Sequence, residues 1–94
     1  MLSDIPKNLA KVSKSEMDKE ICRLGMIAEL DAINLYEQMA AMTENKNIKN
    51  VLLDIAKEEK THNGEFQALL LGLDAEQKSE LVAGKKEVDE MNEG

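Results

Sequence analysis

Thr43-Glu44-Asn45-Lys46-Asn47 is a polar break between two long runs of helix-forming residues, and reading it as a tight turn decides the fold. Its Thr and Asn side chains can accept hydrogen bonds from the free N–H groups that open a new helix. Upstream, Ser13 and Glu16 have capping-box spacing, with Ser15 and Asp18 a weaker version. From there to about Met42 only Gly25 interrupts the good helix formers. Downstream, a second helix runs from about Lys46 to Leu71 and tolerates Gly64, with Gly72 suited to a left-handed C-terminal cap. Asp74 and Gln77 then cap a short third helix reaching about Met91. Two long helices joined by so short a break predict an antiparallel αα-hairpin. The expected organisation is an extended segment over 1–14, which carries Pro6 and no clear period, a helical hairpin with a short third helix over 15–91, and a frayed tail over 92–94.

Composition agrees with an all-α chain. Of the 94 residues 33% are charged, only Tyr36 and Phe66 are aromatic, and there is one proline. Strand-favouring β-branched and aromatic residues are too sparse for a sheet protein. The net charge of -7 argues against a nucleic-acid partner, which needs clustered Lys and Arg, and favours the gathering of cations. A single cysteine, Cys22, cannot close an intrachain disulfide and points to a reducing cytoplasm. Residues 1–12 lack the continuous apolar core of a signal peptide. No apolar run nears the ~20 residues that span a bilayer, so a soluble protein is expected. At this length the buried surface is marginal, and self-association is expected on that ground alone.

At about 100° per residue, Cys22, Gly25, Met26, Ala32, Ile33, Tyr36 and Ala40 cluster around Glu29 on the first helix. Met17, Ile21, Leu24, Ala28, Leu35, Met39 and Met42 fill the adjoining sector. Together they cover roughly half the circumference, wider than the ~100° stripe that one neighbour covers. More chains are needed. On the second helix Ile48, Leu52, Ile55, Ala56, Phe66, Leu70 and Leu73 define an apolar face, with Glu59 in its middle and His62 one turn on.

Glu59-Lys60-Thr61-His62 is a Glu-x-x-His motif, which lets a carboxylate and an imidazole reach one metal from one helix. Four-residue matches arise by chance, but Glu29 strengthens this one. Facing residues of an antiparallel hairpin keep a nearly constant index sum, so a turn near Glu44 and Asn45 sets Glu29 opposite Glu59 and His62, and Tyr36 opposite Leu53. A carboxylate in an apolar layer costs several kcal/mol or must take up a proton, unless a cation balances it. Oxygen ligands with one imidazole suit iron or manganese, with zinc an alternative. A bundle-type di-metal site draws one Glu from each of two helices and a Glu-x-x-His from each of two others. This chain has one of each. Two copies about a two-fold axis would complete the set and form a four-helix bundle, making metal site and dimer interface one object.

Ala28-Glu29-Leu30-Asp31-Ala32-Ile33-Asn34-Leu35-Tyr36 followed by Glu58-Glu59-Lys60-Thr61-His62 resembles the encapsulated ferritins, ferritin-like proteins housed in encapsulin nanocompartments and more distantly related to the rubrerythrins. The resemblance spans about residues 17 to 90. It implies dimers that build ring-like decamers and oxidise Fe(II) with O₂ at a di-iron centre. The mineral would be stored in an encapsulin shell, and so in the cytoplasm within that compartment. By position, Glu29 and Glu59 would bind or bridge the irons, His62 would be a terminal ligand, and Tyr36 would lie beside the site as an outer or redox neighbour. Asp31 matches one carboxylate of the family's ion-uptake site, whereas Ala28 stands where another is expected. Asn92-Glu93-Gly94 does not match the short apolar docking peptide of free-standing cargo proteins. A truncated chain, or one naturally fused to or docked on a shell by other means, is therefore expected.

Plainer readings stand beside these. Glu29 and Glu59 could each belong to a surface salt bridge with a basic side chain, His62 could be a satisfied interface histidine, Tyr36 could pack with its hydroxyl hydrogen-bonded, and Cys22 and the methionines could serve as core. Glu37, Glu44, Glu58 and Glu65 read as a solvated surface. Two rival functions remain: a rubrerythrin-like peroxidase, although the chain has no Cys-x-x-Cys pairs, and a non-catalytic helical oligomerisation or cargo module.

Overall fold

The computed structural model describes residues 13–93. The expected extended segment falls almost wholly on residues 1–12, which lie outside the described residues, as does Gly94. The chain forms three helices in order, α1 (Lys14–Met42), α2 (Lys46–Leu73) and α3 (Ala75–Met91). The fold is all-α, as expected, with α1 and α2 packed as an antiparallel hairpin.

Local hydrogen bonding sets the boundaries. Ser13 is the N-cap of α1, its carbonyl accepting from the N–H groups of Glu16 and Met17. The Asn45 side chain accepts from the N–H groups of Asn47 (2.9 Å) and Ile48 (3.1 Å), which starts α2 inside the quoted break. Gly72 differs from expectation. No described glycine has a positive φ, and α2 continues through Gly72 to Leu73. One extended residue, Asp74, makes the corner instead. Its N–H donates to the Leu70 carbonyl (2.9 Å), and its carboxylate accepts from the Gln77 N–H (3.0 Å), so it closes α2 and opens α3 at once. A left-handed glycine would be redundant there. Arg23 of α1 also donates to the Asp74 carboxylate at 3.1 Å, tying all three helices to this corner. Asn92 ends α3, its side-chain amide donating to the Val88 carbonyl (2.8 Å).

The seam between α1 and α2 is thin. Its buried apolar residues are Cys22, Ile33, Ala40, Ala56 and Leu70, most of them small, which lets the two backbones approach closely. Gly25 makes one close approach: a Cβ there would lie 2.7–2.8 Å from ring carbons of Phe66, so the ring rests on bare backbone. The adjoining apolar sector of α1 stays partly outside, with Ile21, Leu35 and Met42 exposed, and on α2 Ile48, Val51 and Leu53 are exposed as well. The fold is flat, 46 × 46 × 21 Å, and the described residues put no second layer over either broad face.

Candidate metal centre

The antiparallel register brings together the three residues singled out from spacing. Glu29 projects from the middle of α1, and Glu59 and His62, one turn apart on α2, meet it. One ligand atom from each lies within 4.8 Å of the other two. His62 Nδ1 is 3.8 Å from Glu29 Oε2 and 3.7 Å from Glu59 Oε2. Both distances exceed a hydrogen bond. They leave a gap bounded by two oxygens and one nitrogen.

Exposure is graded across the cluster. The side chains of Glu29 and Glu59 are 19% and 21% exposed, that of His62 48%. Glu29 Oε2 is sealed from solvent and has no hydrogen-bond partner. Leaving such an acceptor unpaired costs about 1–3 kcal/mol, more for a charged group. A cation bound by Glu29, Glu59 and His62 would remove that cost, and the donor set of hard oxygens plus one imidazole fits iron, manganese or zinc. Among the described residues this is the only cluster of three or more His, Cys, Asp or Glu with such spacing.

The other expected residues lie elsewhere. Tyr36 is half-buried on the same face of α1, seven residues and so roughly 10 Å along the axis from Glu29. Asp31, about 200° around the helix from Glu29, is half-buried and does not join the cluster. Glu37, read as solvated, forms an exposed 2.8 Å ion pair with Lys60 across the hairpin. Asn63 escapes sequence reasoning altogether. Its Oδ1 and Glu29 Oε2 are the two buried side-chain polar atoms among the described residues that lack a hydrogen-bond partner. The available signal is its place four residues after Glu59, about 40° around the helix. No helix of the described residues is long and apolar enough to cross a membrane.

A family profile described as Rubrerythrin matches residues 4–70 and 20–92. The chain is 62% identical over 72 residues to a ferritin-like–encapsulin shell fusion protein of Pyrococcus furiosus, covering 77% of this chain and 21% of that one. It is 40% identical over 67 residues to the encapsulin nanocompartment cargo protein EncC of Myxococcus xanthus, covering 71% and 51%. The chain thus spans about half the length of one curated relative and about a fifth of the other. The crystal structure of the encapsulated ferritin domain from Pyrococcus furiosus superposes with a TM-score of 0.83 at 53% identity, covering 96% of this chain and 90% of that one. The chain belongs to the rubrerythrin family of ferritin-like proteins, among the encapsulated ferritins.

Proposed function

We propose that this chain is a ferroxidase that binds Fe(II) at Glu29, Glu59 and His62 and oxidises it with O₂ at a di-iron centre shared by two copies. The observation that carries this reading is the orphaned Glu29 Oε2, facing a second carboxylate and an imidazole nitrogen. Membership of an iron-binding family supports iron over manganese and zinc.

One chain offers three ligands, too few for two ions. A second copy related by a two-fold axis supplies the same three and completes the two-Glu, two-Glu-x-x-His set. The exposure of His62 and the uncovered apolar sectors of α1 and α2 support such a pairing. The expected dimer and ring-shaped decamer belong to this proposal. The iron would supply the redox chemistry, two Fe(II) giving one electron each to O₂, which with two protons from solvent would leave as hydrogen peroxide. The protein's own work is electrostatic and geometric. Glu29 and Glu59 neutralise and hold the ions, and His62 offers Nδ1, the nitrogen that faces both carboxylates, which places its proton on Nε2. Tyr36 lies one layer out from the ligands, and Asp31 is the candidate uptake residue. The Fe(III) product would pass to an encapsulin compartment, a destination supported by the names of both curated relatives.

Stopped-flow absorbance of Fe(III) formation in air tests the reading. The wild type oxidises added Fe(II), while Glu29→Ala and His62→Ala abolish oxidation and shift the monomer–dimer equilibrium. Assembly and oxidation indifferent to both substitutions would reduce the chain to a helical cargo module. The Rubrerythrin match supports a peroxidase as second reading. Faster oxidation with hydrogen peroxide than with O₂ would select it.

A further inference from the structure

Asn63 lies in the middle of α2, directly after His62, and its Oδ1 is buried without a hydrogen-bond partner. An amide oxygen in that condition is unfavourable, and a leucine of similar shape would avoid the cost. A hairpin with so thin a seam has little stability to spare, so the amide needs a reason that packing does not supply.

Its position suggests one. Asn63 is the i+4 neighbour of Glu59, with Cβ atoms about 5–6 Å apart on one helix face. Helical side chains lean toward the N-terminus of their helix, so the Asn63 amide leans back over the turn that carries Glu59. His62 flanks Glu59 on the other side, roughly 60° around the axis against 40° for Asn63. Glu59 therefore stands between an imidazole half open to solvent and an amide oxygen sealed from it. Across the seam, Gly25 meets Phe66 and Glu29 meets His62 in the same register, which places Ala28 opposite Asn63. A methyl group offers no donor to that oxygen.

We infer that Asn63 is a positioning residue of the metal centre, its Oδ1 accepting a hydrogen bond from a water in the coordination sphere of an ion held by Glu29, Glu59 and His62. Three protein ligands leave an ion with open positions that water fills, and such a water has protons to donate. The Asn63 oxygen is a buried acceptor with nothing to accept, one helical turn from Glu59. Each satisfies the other. The inference rests on the metal-centre reading above.

Co(II), which does not react with O₂ under these conditions and reports its surroundings through visible absorption bands, is the probe. The full chain is titrated with Co(II) by calorimetry and spectroscopy, as wild type and as Asn63→Leu, Asn63→Ala and Asn63→Asp. Asn63→Leu and Asn63→Ala are expected to bind about 10-fold more weakly or worse, within the ~10–100-fold range for outer-layer groups around metals, and with shifted bands. Asn63→Asp, which keeps an acceptor oxygen, is expected to bind at least as tightly as wild type. The metal-free Asn63→Leu protein should melt no lower than wild type, which separates lost binding from lost folding. Wild-type affinity and bands in Asn63→Leu and Asn63→Ala would overturn the inference and leave the metal centre standing. Equal losses in Asn63→Asp and Asn63→Leu would overturn it too. A wild type that binds no Co(II) would sink the metal centre itself, and this inference with it.

Discussion

The ring of Phe66 occupies the place where a side chain on Gly25 would begin, with ring carbons 2.7–2.8 Å from the site of a Cβ. Glycine inside a helix normally sacrifices roughly 1 kcal/mol relative to alanine. Here it is kept because the Phe66 ring packs directly on its backbone.

Gly25→Ala is therefore expected to destabilise the chain even though alanine is the better helix former. The displaced ring costs about 1–3 kcal/mol, which outweighs the propensity gain. In a Phe66→Leu background the overlap disappears, and the same substitution should become neutral or stabilising. A double-mutant cycle by urea denaturation measures both. Additive effects of the two changes would disprove the contact.

Glu29 should reverse its contribution with metal. Without a cation, its sealed oxygen is a liability, so Glu29→Met should raise the melting temperature of the metal-free protein, by about 4–8 °C if ~1 kcal/mol is recovered. With Mn(II), a redox-silent stand-in, the wild type gains stability through binding and the variant gains none. The two melting curves should change order on addition of metal, which differential scanning fluorimetry can follow.

Asp74 sets a pH dependence at the other end of the hairpin. Its carboxyl is held below the ordinary 3.8, chiefly by the hydrogen bond from the Gln77 N–H and further by the charges of Lys19 and Arg23, against the opposing pull of partial burial. A carboxyl whose folded-state value is depressed contributes stability above its unfolded value and loses it as pH falls through the folded one. The contribution of Asp74 is thus complete at neutral pH and disappears in acid, below about pH 4. Asp74→Asn keeps a capping oxygen but not the charge. It should melt below wild type at pH 7, and the gap should narrow as pH falls below about 4. A constant difference across that range would count against the charge as the cause.

Much of this was legible in the sequence because helices carry their own ruler. The Glu59–His62 spacing and the near-constant index sum of a hairpin translate sequence distance directly into proximity, which is why Glu29 could be set opposite both. The caps at Asn45 and Asp74 were legible for a related reason: a side-chain acceptor and the N–H groups it serves lie two or three residues apart. Gly72 misled because its composition suits a cap that Asp74, two residues later, makes unnecessary. Gly25 beneath Phe66, and the stranded amide of Asn63, depend on how near the two helix axes come. Periodicity says which face turns inward and nothing of the interaxial distance.

The thin seam has a last consequence. With Cys22, Ile33, Ala40, Ala56 and Leu70 as the buried apolar residues and large aliphatic side chains left in water, a lone chain has little to keep it folded. Dilution should then act as a denaturant. The midpoint of thermal unfolding is expected to fall steadily as protein concentration is lowered from micromolar to nanomolar, as mass action requires of molecules that fold by meeting, and a midpoint indifferent to concentration would mean the hairpin stands by itself.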